Sequence, residues 1–323
     1  MLWGVHLMNF TKEFVQKYTV FIILIVLFVI FSIASPTFMQ VDNLMNLLVQ
    51  STILGIVGFG LVMIMIAGEI DLAFAGVIPF EGAIFATLLT NGRPFWVAAL
   101  STLAIGLLVS YVISLLVTRL KLVSFVSTIA MMFLLQGIWY AYTGGKNIYL
   151  EDYFNRDIVF GLVGAVPRVV ILFAVIFIIL YFLTEQTPFG LRLRIVGEDP
   201  ESARTMGLNP IVYKTAGFLI GGAIFAIGAF LSTARMSGAL ATAGANMLMP
   251  VMTAAFVGQT VLGMSRPNIP GVLLAALLLG MINNAFVLLR LPFWSVPIAE
   301  GLILIIAIYL TNINKRDVVQ ISM

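Results

Sequence analysis

Apolar residues run through this chain in long blocks, interrupted by short polar patches. A helix needs about 20 apolar residues to cross a bilayer. Ten segments come close to that length: 18–35, 50–67, 75–91, 94–118, 122–143, 165–184, 213–234, 246–263, 270–289 and 295–312. The third and eighth are short and carry polar residues, so hydropathy counts nine to ten spans, and ten is adopted. The first run continues from Thr19 to Ala34 without a small-residue cleavage site and is expected to be a retained span rather than a signal.

Lys and Arg near span ends set the orientation. With the N-terminus in the cytoplasm, the inner set is Lys12, Lys17, Arg119, Lys121, Arg192, Arg194, Arg204, Lys214, Arg266, Lys315 and Arg316. The outer set is Arg93, Lys146, Arg156, Arg168, Arg235 and Arg290. The inner set is the larger, 11 against 6. An even span count returns the C-terminus to the cytoplasm. The fold class expected is therefore an all-α integral membrane protein with about ten transmembrane helices, both termini cytoplasmic, as one transmembrane domain over residues 1–323. Spans two to five and seven to ten are candidates for inverted repeats, with faint internal similarity.

Composition agrees with a bilayer as solvent: 61% of residues are hydrophobic, 10% are charged and the mean hydropathy is +1.12. A soluble domain carries about a quarter charged residues. Cysteine is absent and the one histidine is His6, in the N-terminal tail. Thiolate or histidine metal sites and Ser–His or Cys–His catalysis inside the membrane are thereby excluded. No polybasic run points to nucleic acid. No G-x-x-x-x-G-K-[ST] phosphate loop occurs.

Two polar loops stand out. The outer loop, 144–164, mixes Tyr149, Tyr153 and Phe154 with charge; an interfacial or docking segment and a simple aromatic anchor both fit. The inner loop, 185–214, carries sharper signals. Asp199 has the chemistry of an N-cap, Pro200 suits the first helical position, and Gly207 can take the left-handed closing conformation. Such a two-turn helix buries too little to be stable alone. It either packs into a partner or lies on the membrane surface as a connector.

This loop resembles the ATPase-coupling loop of ABC importer permeases of the ribose and simple-sugar family. The matching residues are Phe189-Gly190, Gly197, Pro200, Ala203-Arg204 and Gly207-Leu208-Asn209. Gly68-Glu69-Ile70-Asp71-Leu72 and the run from Pro267 through Asn283-Asn284 are similar to two further segments of that family. Glu69 stands where the family usually has glycine, and Glu198-Asp199 where it often has Gly-Asn. The resemblance covers nearly the whole chain. It implies a permease subunit of an ATP-driven importer for a sugar or similar small polar solute, in the cytoplasmic membrane. ATP and Mg would bind a separate ATP-binding subunit. Gly197, Glu198, Asp199, Pro200, Glu201, Ala203, Arg204 and Gly207 would couple to it. An extracytoplasmic solute-binding protein and a second permease copy or paralogue complete the implied assembly. No cofactor or metal is expected in this chain.

Charge and amide groups inside hydrocarbon need a reason. Glu69, Asp71 and Glu81 fall at the second and third spans, and Gly76 and Pro79 interrupt the third, as broken helices around pathways do. Capping of the third span and a salt bridge to an inner-loop residue is the rival reading for Glu69 and Asp71. Gln136, Trp139, Gln259, Asn283 and Asn284 are the neutral candidates for a sugar pathway, against the plainer role of joining helices. Asn283 and Asn284 lie about 100° apart on a helix, so at most one of them faces a pathway. The alternative function is a stand-alone proton- or cation-coupled transporter built on the buried acids, which leaves the capped inner helix unexplained.

Overall fold

The structure is a computed structural model that describes residues 20–150, 154, 157–261 and 266–321, with side chains to residue 309. His6, Lys12, Lys17 and the Gly263-Met264-Ser265 stretch lie outside the described residues.

The chain is helical almost throughout. The long elements are α1 (Val20–Ala34), α2 (Val41–Ile66), α3 (Phe74–Thr90), α4 (Phe95–Thr118) and α5 (Ser124–Thr143). A short turn, α6 (Asp157–Phe160), precedes α7 (Arg168–Tyr181), which ends in a π turn over Phe182–Gln186. There follow α8 (Pro188–Glu198), α9 (Pro200–Thr205), α10 (Pro210–Arg235), α11 (Ala243–Thr260), α12 (Ile269–Leu288) and α13 (Ser295–Ile321). Six of these elements are long and apolar enough to cross a membrane, α7 with its π turn among them; α1, α3 and the Ser295–Tyr309 part of α13 are shorter apolar helices. This is an all-α multi-pass membrane protein.

Two packed clusters share the work. The larger joins α2, α3, α4, α5, α7, α10 and α11 around Phe59, Phe74, Phe85 and Phe225. The smaller joins α1 to α11, α12 and α13 through Phe31, Phe38, Val257 and Leu278. α2 and α10 are mostly buried, whereas only about a third or fewer of the residues of α4, α5 and α7 are buried. Their apolar outer faces, with Leu108, Phe133 and Ile179 exposed, suit contact with lipid.

Contacts sort the connections into two ends. One end gathers the α2–α3 turn, the α4–α5 turn at Lys121, the α7–α10 segment and the α11–α12 turn at Arg266. The opposite end gathers the start of α2, the loop after α5 and the C-terminal end of α10. There β1 (Ile148–Tyr149) pairs antiparallel with β4 (Gly238–Ala239), and β2 (Leu162–Val163) with β3 (Val166–Pro167). Phe154 of the same loop stacks on Phe95 at 5.9 Å.

Three elements depart from the hydropathy reading. α2 starts nine residues before its apolar run because Asp42 favours a first helical turn and Asn43 is satisfied by neighbours. α8 occupies what reads as loop. The third span begins deep: Ile70 N–H donates to Ser124 Oγ at the foot of α5 (3.4 Å), while Gly76 packs on the backbone of Met132. Eight residues of α5 separate those levels, about 12 Å of rise. Residues 67–73 thus climb into the bundle as non-helical backbone, which is tolerated at such depth only inside protein.

Candidate functional site

The inner-loop segment is built from repeated starts. Thr187, Asp199 and Asn209 each accept from a following backbone N–H, and each is followed by a proline at the first helical position. Asp199 Oδ1 accepts from Glu201 N at 3.0 Å and Ser202 N at 3.2 Å, and Oδ2 accepts from the Ser202 hydroxyl. These donors hold the Asp199 carboxyl below its ordinary 3.8, the Ser202 hydroxyl foremost. Gly207, at φ +79°, closes α9. Arg204 pairs with Glu201 on the exposed face. Ala203 is buried, and Met206 is 65% exposed, a large apolar side chain at the tip of a polar helix.

α8 anchors this unit. Leu193 and Val196 are fully buried, and Arg194 holds Glu185 through two hydrogen bonds, one of 2.9 Å. Gly197 lies against the α2–α3 turn so closely that a Cβ there would run into the carbonyl oxygen of Ile66. Glu69 of that turn forms an ion pair with Lys214 of α10. A cavity of about 450 Å³ opens beside them, between Glu69, Arg194, Glu198, Gln259 and Arg266.

A second cavity, of about 320 Å³, lies toward the opposite end between α2, α10, α11, α12 and α13. Its wall combines Gln50, Asn246 and Asn283 amides, Ser232, Arg235 and Glu300 with apolar Ile53, Met247 and Leu279. Amides, a hydroxyl, an arginine and a carboxyl group beside apolar surface can hydrogen-bond a polyhydroxylated solute and pack its C–H face.

The remaining sequence candidates separate by position. Asn283 lines the second cavity, whereas Asn284 exchanges hydrogen bonds with Asn43 at 2.8 and 3.0 Å and ties α12 to α2. Gln259 and Glu69 share the first cavity. Asp71 is buried, its Oδ1 accepting from Ala73 N at 2.7 Å at the start of α3. Glu81 is fully buried between α4 and α10, with Oε1 2.8 Å from where a Cβ on Gly106 would sit. Neither oxygen has a hydrogen-bond partner, and Glu81 lines neither cavity. Trp139 is buried with its Nε1 unpartnered, and Gln136 is half-buried one turn before it. Among the described residues, no group of three or more His, Asp or Glu side chains is arranged to hold a metal ion.

Residues 43–310 match the family described as the permease component of the branched-chain amino acid transport system. The chain belongs to this family. Its relatives include the ribose import permease protein RbsC of Haemophilus influenzae, 29% identical over 90% of this chain and 92% of the relative. The RbsC of Bacillus subtilis is 29% identical over 91% and 92%, and the L-arabinose ABC transporter permease protein AraH of Azospirillum brasilense 24% over 94% and 90%. No solved structure matches the chain. Members of the family are membrane permease components and not enzymes themselves.

In this permease the sequence reading misses Gln50, Ser232 and Asn246, which complete the second cavity. The signal was there in outline: each is a polar residue at or near a span end, and their shared wall becomes visible only once α2, α10 and α11 are packed together.

Proposed function

We propose that this chain is the membrane-spanning permease subunit of an ATP-driven importer, and that it passes a sugar or a similar small polar solute across the cytoplasmic membrane. The chain would act as one permease unit with ten spans and both termini in the cytoplasm. Residues 185–214 would face the cytoplasm and receive an ATP-binding subunit that carries ATP and Mg. A second permease copy or paralogue and an extracytoplasmic solute-binding protein complete the machine.

The observation that carries this reading is α9. It is a two-turn helix, capped by Asp199 and closed by Gly207, with Glu201, Arg204 and Met206 exposed. A helix this short gains little stability from its own turns, so its rigidity suits insertion into a partner's groove. The choice of solute is supported by the second cavity, where Gln50, Asn246 and Asn283 offer neutral hydrogen-bonding groups, and by relatives named for ribose import and for an L-arabinose ABC transporter. The stand-alone, ion-coupled alternative draws on Glu81, whose buried oxygens lack partners, but it gives α9 nothing to do.

Affinity capture of the permease from detergent-solubilised membranes tests the proposal. An ATP-hydrolysing chain is expected to co-purify, and Pro200→Ala combined with Arg204→Glu should weaken its retention. A permease that purifies alone and moves solute down a proton gradient would sink the importer reading.

A further inference from the structure

Beneath α9, the contact between α8 and the α2–α3 turn is backbone on backbone. A Cβ on Gly197 would lie 2.8 Å from Gly68 N and 2.9 Å from Ala67 C, and one on Gly68 would lie 2.8 Å from Gly197 Cα. Gly68 sits at φ +81°, where L side chains are strained. Nothing flexible stands between the two segments, so a displacement of one cannot be absorbed by side-chain rotation. Asp199 alone separates α8 from α9, and α8 is seated in the bundle through Leu193 and Val196, so the pair forms one short unit packed on the α2–α3 turn.

From this geometry we infer that the α2–α3 turn, residues 67–73, is the joint that carries movement of α9 to the solute cavity, and that Glu69 and Lys214 are its positioning residues. The inference rests on the reading of α9 as the ATPase contact. Three links extend the joint inward. The Glu69–Lys214 ion pair ties the turn to α10 from a largely buried position, the side chains 13% and 18% exposed. Asp71 Oδ1, bonded to Ala73 N, fixes the turn to the first residues of α3. The carbonyl of Ala75, one residue into α3, presses on Gly244 in the first turn of α11. Ala243 and Asn246 of that same turn line the second cavity. The non-helical segment and the first turn of α3 together therefore span the gap between the inner loop and the cavity wall, with packed contacts at both ends. Movement could also pass along the chain from α9 into α10, and the Glu69–Lys214 pair is the contact that separates the two routes, because it joins the turn to α10 without lying on the covalent path.

The test uses the whole complex: permease, co-purifying ATPase and binding protein in liposomes. The chain has no cysteine, so Met247→Cys places a single thiol on the cavity wall. Its rate of maleimide labelling is measured with and without ATP. ATP is expected to change that rate in the Met247→Cys background. Adding Glu69→Gln, which keeps volume and removes the charge, should shrink the ATP-dependent change at least about fivefold, the low end for coupling between distant sites. Glu69→Lys and Lys214→Glu should each do the same, and the two together should restore it, while the ATPase stays bound throughout. A response to ATP that is unchanged by all these substitutions overturns the proposal. So does a loss of ATPase retention in step with the response, or a double reversal that restores nothing, since the contact is then merely structural. If no ATPase is retained even by the background protein, the importer reading itself fails, which is a different outcome from a retained ATPase whose signal bypasses the joint.

Discussion

Two adjacent amides, Asn283 and Asn284, show how one residue's turn of a helix separates a solute group from a structural one. Asn284 is committed to Asn43, each donating to the other. Asn43 also donates to the carbonyl of Phe38 at 2.9 Å, so it locks the start of α2 against both α1's exit and α12. Interhelical polar pairs in bilayers are worth about 0.6 kcal/mol on average and roughly 1.7 at most. Asn284→Ala and Asn43→Ala should therefore each destabilise the detergent-solubilised protein by about that amount, and the double substitution by less than their sum. Strict additivity in thermal unfolding would show that the pair does not interact. Asp199 offers a pH handle outside the membrane. Its folded-state carboxyl is held below its ordinary 3.8 by the Ser202 hydroxyl and the backbone N–H groups it caps. A depressed carboxylate stabilises fully above the unfolded value and loses that contribution as pH falls through the folded one. Amide exchange at Glu201 and Ser202 should accordingly show a capped α9 unchanged from pH 8 to about 5 and a cap lost only below the ordinary carboxylate range; fraying that sets in near neutral pH would contradict it.

At the scale of elements, the long helices were legible because hydrocarbon allows few alternatives to a 20-residue apolar helix, and α4, α5, α10 and α12 lie where their apolar runs predict. α9 was legible through its cap and its glycine. α8 was not, although Thr187-Pro188 carries the same cap-and-proline signal as Asp199-Pro200. Its mixed apolar and basic residues, Leu191 to Val196, read as loop without the bundle that buries Leu193 and Val196. The depth of α3 was hidden for a related reason. Gly76 and Pro79 suggest a break within the third span, yet α3 runs unbroken from Phe74 to Thr90 with Pro79 inside it; the irregular backbone lies before it, and only the contacts of Ile70 with Ser124 and of Gly76 with Met132 reveal how far that segment climbs. Within the bundle α3 is gripped between α4 and α10, where Glu81, Gly106, Gly222 and Ala226 meet. Gly106→Leu would drive a side chain into Glu81 and Ala226 at once. Overpacking costs roughly 1–3 kcal/mol in a well-packed core, so this variant should show a clearly lowered melting temperature or yield of monodisperse protein. Wild-type behaviour on size exclusion and in thermal unfolding would mean the three helices are not packed this way.

For the molecule as a whole, the two cavities lie where the proposed importer function would use them. The cavity beside Glu69 and Gln259 adjoins the proposed ATPase contact, and the cavity at Gln50, Asn246 and Asn283 lies toward the other end. If a separate binding protein supplies affinity, the permease cavity need only stabilise the solute in transit. Its polar groups should then govern the rate of passage and leave the apparent affinity of uptake alone. Asn283→Ala removes one amide from the cavity wall without touching the Asn43–Asn284 lock. A net hydrogen bond is worth about 0.5–1.5 kcal/mol, which corresponds to a roughly two- to tenfold fall in maximal uptake at constant ATPase content. The concentration for half-maximal uptake should stay where the binding protein sets it. The matched variant Asn284→Ala should do the reverse, lowering thermal stability while the folded fraction transports at the normal rate. Uptake kinetics in reconstituted liposomes, normalised to folded protein, distinguish the two. A rise in the half-maximal concentration for Asn283→Ala, with the maximal rate kept, would mean that this permease selects its solute by its own affinity and that the binding protein has a smaller part than proposed.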